Sequence, residues 1–349
     1  MTIARPRDTI RERQGDGIMK IYRYTPNGSP DVTPRLGLLT EDGKRLGDLQ
    51  AAYSAMKNEA DAVRMFPGDV AAWLANGDAA RPALSEAADY LGGSNDDGLF
   101  VALDAVHLHA PIAPHKIIAV GRNYNEHKEE MAGKTISERP KVPAAWVKAN
   151  NTICGPNDPV VKPYMTHKLD YETELCVVIG KRCKNVLEAD AWDVVAGYTI
   201  MQDITARDVN FIERDEGNRL LGKMFDTFGP MGPCFVTADA IADPHNLSIK
   251  TRVNGEIRQD GSTGDMIWSI PEFLTYVSQM TLETGDVVMT GTPSGVANGH
   301  RVEGENWFLQ DGDVLESEID GIGIMRNTIV DEPDGPRSWD WSRLIPPDA

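Results

Sequence analysis

Leu169-Asp-Tyr-Glu-Thr-Glu-Leu-Cys-Val-Val-Ile-Gly180 reads as a β-strand that enters the core with its run LCVVIG. Side chains alternate along a strand with period two, so Glu172 and Glu174 share a face. Two carboxylates side by side at the entrance of a buried strand repel each other. Either one is protonated or a cation sits between them. Asp203, directly after the apolar run VVAGYTIM, is placed to complete a set of three. Three carboxylates with positions left open to water or substrate suit a hard octahedral ion such as Mg²⁺. The plainer alternative is a solvated acidic strand end.

On both sides of this stretch the chain is mostly short strands and turns. KIIAVG, VVAGYTIM, SIKTRVNGEI, DVVMTGT and ESEIDGIGIMRNTIV are strand-like, while NEHKEEM, TARDVNFIERDE and SIPEFLTYVSQM read as helical. The connections are too short for regular βαβ crossovers, so a barrel or roll is expected rather than a doubly wound sheet. Further toward the N-terminus, KIYRY, RLGLLT and RLGDL are separated by turns with NG and DG, which are hairpin signals. Residues 51–92 then turn Ala-rich with a 3.6 period, predicting two or three helices. Pro111 and Pro114 mark a soft boundary. The expected organisation is strand-rich α+β: a flexible extension over 1–18, a small α+β N-terminal domain over 19–112, a larger strand-rich domain over 113–330 and a tail over 331–349 whose tryptophans pack on a neighbour.

With 349 residues the length suggests two domains, and 41% hydrophobic residues supply an ordinary core. The excess of 53 Asp+Glu over 35 Lys+Arg, a net charge of −18, argues against nucleic acid or an anionic membrane as partner. A small anionic substrate would then need a local patch of cations or metal. No run approaches the ~20 apolar residues of a membrane span, and the first residues lack the apolar segment of a secretory signal. Cys154, Cys176, Cys183 and Cys234 form no CxxC pair; reduced thiols in a cytoplasmic protein are expected.

Two further groups invite a chemical reading. In VGRNYNEHKEEM, His127 and Glu130 share a helix face at spacing three, and a His held by a carboxylate is a natural general base. The alternative is a surface His among glutamates. Lys223 in LLGKMFDTFGPMGP has apolar neighbours that would partly desolvate its ammonium and direct it at an anion, unless it snorkels to the surface. The turn Gly291–Gly295 in MTGTPSGV offers backbone N–H groups and the hydroxyl of Thr292, but it is no Walker loop. His107 and His109 alternate in a strand-like run and are expected to be structural.

From Lys116 to Thr328 the chain resembles the fumarylacetoacetate hydrolase family, and within it the acylpyruvate-hydrolase-like and 2-keto-4-pentenoate hydratase-like branch. The segments that carry this are VGRNYNEH, KANNTICGPNDPV, LDYETELCVVIGK, GYTIMQDITARD, GKMFDTFGPMGP, TRVNGEIRQDGSTGDMIWSI, TLETGDVVMTGTPSGV and LQDGDVLESEIDGIGIMRNTI. The resemblance implies a mixed β-roll, a homodimer, a small keto-acid substrate and Mg²⁺, with Mn²⁺ or Ca²⁺ as substitutes. It implies Glu172, Glu174 and Asp203 as metal ligands, His127 and Glu130 as the water-activating dyad, and Lys223 as the stabiliser of a developing enolate. Arg207 and Thr292 would lie near the substrate, Arg122, just before the dyad, would face a substrate carboxylate, and Asn125 to about Pro143 would form a lid. Members with a fourth metal-binding carboxylate carry an Asp shortly before the His. Here that position, about Val120, is apolar, which sets the chain apart from fumarylacetoacetate cleavage itself. The implied reaction is metal-dependent hydrolysis of a C–C bond in a β-diketo acid. Hydration of a 2-oxo-enoate, decarboxylation of a β-keto acid, dehydration of a sugar acid and tautomerisation run through the same enolate, and a non-catalytic binding protein on the same fold is the remote alternative.

Overall fold

The structure is a computed structural model that describes residues 19–29, 32–132, 138–300, 302–335, 337 and 339–345. The extension read over 1–18 lies outside the described residues. The architecture is α+β and strand-rich. Its centre is the strand Thr173–Ile179, every residue of which is buried. A strand covered on both faces and both edges needs a continuous apolar run, which LCVVI supplies. It pairs antiparallel with Val195–Gln202 on one side and with Val287–Met289 on the other.

Antiparallel pairing brings the exit of one strand to the entrance of the next. Thr173 faces Gln202 in register, so Glu172 and Asp203 become neighbours, and the Asp203 N–H donates to the Glu172 carbonyl at 2.9 Å. Outward from Val287–Met289 the sheet continues through Ile117–Gly121, in parallel, to the edge strand Ala144–Lys148. In the other direction it runs through Gly229–Thr237 to Lys20–Pro26, where Ile21 faces Phe235, and on to Arg35–Leu39, Arg45–Asp48 and Phe100–Ala102. The N-terminal strands thus extend the same sheet. A second sheet, ordered Glu256–Ser262, Ser248–Val253, Val314–Ile319, Gly323–Asp331 and Val160–Lys162, packs across it. Its first hairpin turns at Asn254 and Gly255, with φ of 54° and 81°, a turn that demands left-handed backbone at both residues.

The Ala-rich region forms four α-helices rather than two or three: Leu49–Met56, Glu59–Met65, Val70–Leu74 and Ala80–Gly93. The extra breaks follow from caps inside the run. Asn58 and Asp69 accept from the backbone of Asp61 and Ala72, and Gly68 between them has φ 84°. These pieces bury Leu49, Ala52, Met65, Trp73, Leu84 and Leu91 with Ile21, Leu36 and Phe235 of the sheet. In the C-terminal segment Trp341 packs on this chain's own cluster with Leu169, Tyr171 and Ile329, while Trp339 is exposed. Among the described residues, no helix is long and apolar enough to cross a membrane.

Candidate metal centre and active-site cavity

Glu172, Glu174 and Asp203 are all buried, and one carboxylate oxygen from each lies within 4.8 Å of the others. Around them the fold places cations. The short helix Leu221–Met224 carries Lys223, whose Nζ donates to Glu172 Oε2 at 2.9 Å, to Asp203 Oδ2 and to Thr205 Oγ1 at 2.8 Å. Arg207 opens the helix Arg207–Asp215 and gives Nε to Asp170 Oδ2 and Nη2 to Glu172 Oε1. Lys148, fully buried at the end of the edge strand, donates to Asp203 Oδ1 at 2.8 Å and to the Lys223 carbonyl at 2.7 Å.

Glu174 has no such partner. Its Oε2 accepts the Gly291 N–H at 2.7 Å, and among the described residues no cationic side chain bonds to it. Burial, then the charges of Asp203 and Glu172, push its carboxyl well above the usual carboxylate range. Burial acts the same way on Glu172, but there Lys223 and Arg207 outweigh it and hold the carboxyl below that range. A buried carboxylate facing two others without a cation of its own is a place for a cation. The donors are hard oxygens, which fit Mg²⁺ or Mn²⁺.

His127 lies on the helix Asn125–Ala132, buried, with Nδ1 3.2 Å from Glu130 Oε2. The other Glu130 oxygen accepts the Gly295 N–H at 2.9 Å. The turn that supplies these amides needs its glycines: Gly291 and Gly295 have φ of 89° and 99°, and a Cβ on Gly295 would stand 2.1 Å from the Arg258 carbonyl. Thr292 sends its hydroxyl to the Thr173 carbonyl and accepts from Gln259.

Residues 116–330 match the fumarylacetoacetate (FAA) hydrolase C-terminal family. The chain belongs to the fumarylacetoacetate hydrolase family. Oxaloacetate tautomerase from Bacillus subtilis is 41% identical over 301 residues, 84% of this chain and 95% of that one. A fumarylacetoacetate hydrolase domain-containing protein 2 homolog from Dictyostelium discoideum is 37% identical over 326 residues, 91% and 99% of the two chains. Among solved structures, maleylpyruvate hydrolase from Sphingobium, in complex with manganese(II) ion and pyruvate, is 30% identical with a TM-score of 0.67, covering 90% of this chain and all of that one.

In this member of the family a cavity of about 130 Å³ opens onto the acidic cluster. It is lined by Glu172, Glu174, Lys223, His127, Thr292 and Arg207, and also by Arg122 and Val120. Of the residues singled out in the sequence, only Asp203 and Glu130 stand behind this wall, each bonded to a residue on it. Three residues of the cluster were not singled out. Lys148 and Asp170 are buried ion-pair partners whose mates lie 55 and 37 residues away, and Trp146 lines the cavity with its ring 5.4 Å from Lys223 Nζ. Period-two alternation is the signal they leave: AAWVK puts Trp146 and Lys148 on one face, and LDYETE puts Asp170 in line with Glu172 and Glu174. The segment read as a lid is pinned at both described ends. Asp265 takes the Asn125 side chain and the Glu126 N–H, and Arg139 pairs with Glu272 at 2.8 Å while stacking on Trp268. Residues 133–137 of that segment lie outside the described residues.

Proposed function

We propose that the chain is a metal-dependent keto–enol tautomerase of a short 2-oxo acid, oxaloacetate in the first instance. The observation that supports this best is that one small cavity joins a cation-seeking carboxylate trio, an ammonium and a buried His–Glu pair. Glu172, Glu174 and Asp203 would hold Mg²⁺ or Mn²⁺. When bound, the ion supplies Lewis-acid polarisation of the 2-oxo group and its neighbouring carboxylate.

The remaining work falls to side chains. With Nδ1 donating to Glu130, His127 keeps a basic Nε2, which has no hydrogen-bond partner among the described residues. Nε2 takes the proton from the carbon next to the 2-oxo group and returns it to the oxygen, so no other atom moves. The Lys223 ammonium, whose three N–H groups are taken by Glu172, Asp203 and Thr205, would act as a fixed positive charge near the oxygen on which negative charge develops. Arg207 is spent on Asp170 and Glu172, so it orients a metal ligand. The likeness to the Bacillus tautomerase, along nearly its whole length, supports this reaction over others of the family.

The second reading is the C–C hydrolysis expected from the sequence, favoured by the same His127–Glu130 pair acting on water and by the likeness to maleylpyruvate hydrolase. The deciding experiment follows decay of enol-oxaloacetate with Mg²⁺ or Mn²⁺, beside an acylpyruvate. Catalysed ketonisation that EDTA removes is the expected result. Ketonisation at the uncatalysed rate, with the acylpyruvate cleaved into two acids, would establish hydrolysis instead.

A further inference from the structure

Four arginines line the cavity: Arg122, Arg207, Arg214 and Arg219. Two of them are paired, Arg207 with Asp170 and Glu172, and Arg214 with Asp215. Arg122 and Arg219 have no carboxylate partner among the described residues. In a chain with 53 acidic and 35 basic residues, these two guanidiniums leave positive charge facing one small cavity. Beyond burial, what lowers the proton affinity of Arg122 is the charge of Arg219, then Arg214 and Arg207, so these groups crowd one another.

Arg219 does not sit on a loose loop. The buried Glu213 carboxylate accepts the N–H groups of Leu220, Leu221 and Gly222, and the Glu213 carbonyl accepts that of Asn218. The loop that carries Arg219 is thus tied on both sides of it. The Arg219 guanidinium lies 5.6 Å from the Trp146 ring centroid, and the Lys223 ammonium lies 5.4 Å from the same centroid. Trp146 therefore stands as a fixed apolar contact near both the reaction end of the cavity and its arginine end. On the other side Arg122 occupies left-handed backbone, φ 55°, which for a residue with a Cβ is held by its surroundings. The next residue supplies the hold: Asn123 is buried and its side chain bonds the Trp268 carbonyl and N–H and the Thr290 carbonyl.

We infer that Arg219, with Arg122, is the specificity-determining pair that receives a second carboxylate of the substrate, so that the enzyme selects 2-oxo dicarboxylates over 2-oxo monocarboxylates. This rests on the proposed tautomerase reading for the position of the 2-oxo end. The guanidinium fork matches a carboxylate geometrically, and the partner that each arginine lacks among the described residues is the one a dianionic substrate brings.

The test is Arg219→Met, with Arg219→Lys as the charge-keeping control. In the presence of Mn²⁺, calorimetry compares binding of pyruvate, which has one carboxylate, with that of oxaloacetate, which has two. Arg219→Met should weaken oxaloacetate binding by about 10–100-fold, the range of a charge-assisted hydrogen bond, while pyruvate binding stays within about twofold. The loss in turnover should fall on KM, and Arg219→Lys should recover part of it. Equal weakening of both acids, or of neither, overturns the inference. If the wild type turns over neither acid, the tautomerase reading fails, yet the difference between mono- and dicarboxylate binding still decides the role of Arg219.

Discussion

Replacing Glu174 by Gln should push the fold and the metal centre in opposite directions. The side chain is buried, keeps its shape in the substitution, and can still accept the Gly291 N–H through the amide oxygen. What disappears is a charge that burial and two neighbouring carboxylates oppose. Without metal, the variant should therefore be as stable as wild type or more so, by about 1–2 kcal/mol, which is a rise of a few degrees in Tm at most. With metal the balance reverses. A unit charge and a divalent ion about 4 Å apart attract by roughly 8 kcal/mol at an effective dielectric of ~20. A replacing water and relief of repulsion return part of this, leaving a net loss on the order of 3–4 kcal/mol, or ~10²–10³-fold in Kd. Calorimetric titration with Mn²⁺ and melting with EDTA measure the two halves on the same sample. Wild-type Mn²⁺ affinity in Glu174→Gln, or a Tm several degrees lower in EDTA, would refute the argument that this carboxylate waits for a cation.

The same carboxyl gives a pH signature. Its proton is held more tightly in the folded chain than in the unfolded one, so its stabilising effect is complete below the ordinary glutamate value of 4.5 and is lost as pH rises through the folded value. In EDTA, the Tm advantage of Glu174→Gln over wild type should accordingly widen with pH, and saturating Mn²⁺ should cancel it. His127→Ala should lower turnover by about 10²–10⁴-fold while leaving Mn²⁺ affinity nearly intact, because the ring hydrogen-bonds Glu130 and, among the described residues, makes no hydrogen bond or ion pair to the trio; a parallel loss of metal would show that His127 is a ligand. Lys148→Met leaves Asp203 Oδ1 and the Lys223 carbonyl without their buried donor and should cost about 3–5 kcal/mol in denaturant unfolding, against a near-zero change if the pair is dispensable. Arg139→Ala removes the ion pair to Glu272 and the stack on Trp268, so amide exchange over 125–132 should quicken; unchanged protection would mean that Asp265 alone pins the segment.

Much of this protein is legible in its sequence where the determinants are local. The apolar run after Glu174, the turn dipeptides and the two-residue spacing of Glu172 and Glu174 are each decided within a few residues, and the sheet and the carboxylate pair follow from them. Asp203 was within reach because antiparallel neighbours join strand exit to strand entrance. What escaped depends on separations that one-dimensional patterns do not encode. Lys20 pairs with Val236 across the main sheet, and nothing in KIYRY announces that its partner lies in the other half of the chain. Lys148 reads as an ordinary charged residue at a strand end until the fold carries it against Asp203.

The charges of the site support the kind of ligand proposed for it. Asp170, Glu172, Glu174 and Asp203 bring four negative charges into the core, and Arg207, Lys148 and Lys223 answer three of them. A divalent ion at Glu174 would overshoot neutrality by one, turning a locus inside an acidic protein into one that attracts an anion. The first carboxylate of a 2-oxo acid restores the balance there. A second carboxylate would find no compensation in this cluster and would have to be met elsewhere on the cavity wall, which Arg122 and Arg219 line without a carboxylate partner among the described residues. On the proposed reading, such a division of charge would let a chain of net charge −18 admit a dianion, and raising ionic strength should then weaken dicarboxylate binding more steeply than pyruvate binding. Equal salt slopes for the two acids would show that the arginine end contributes nothing to selection.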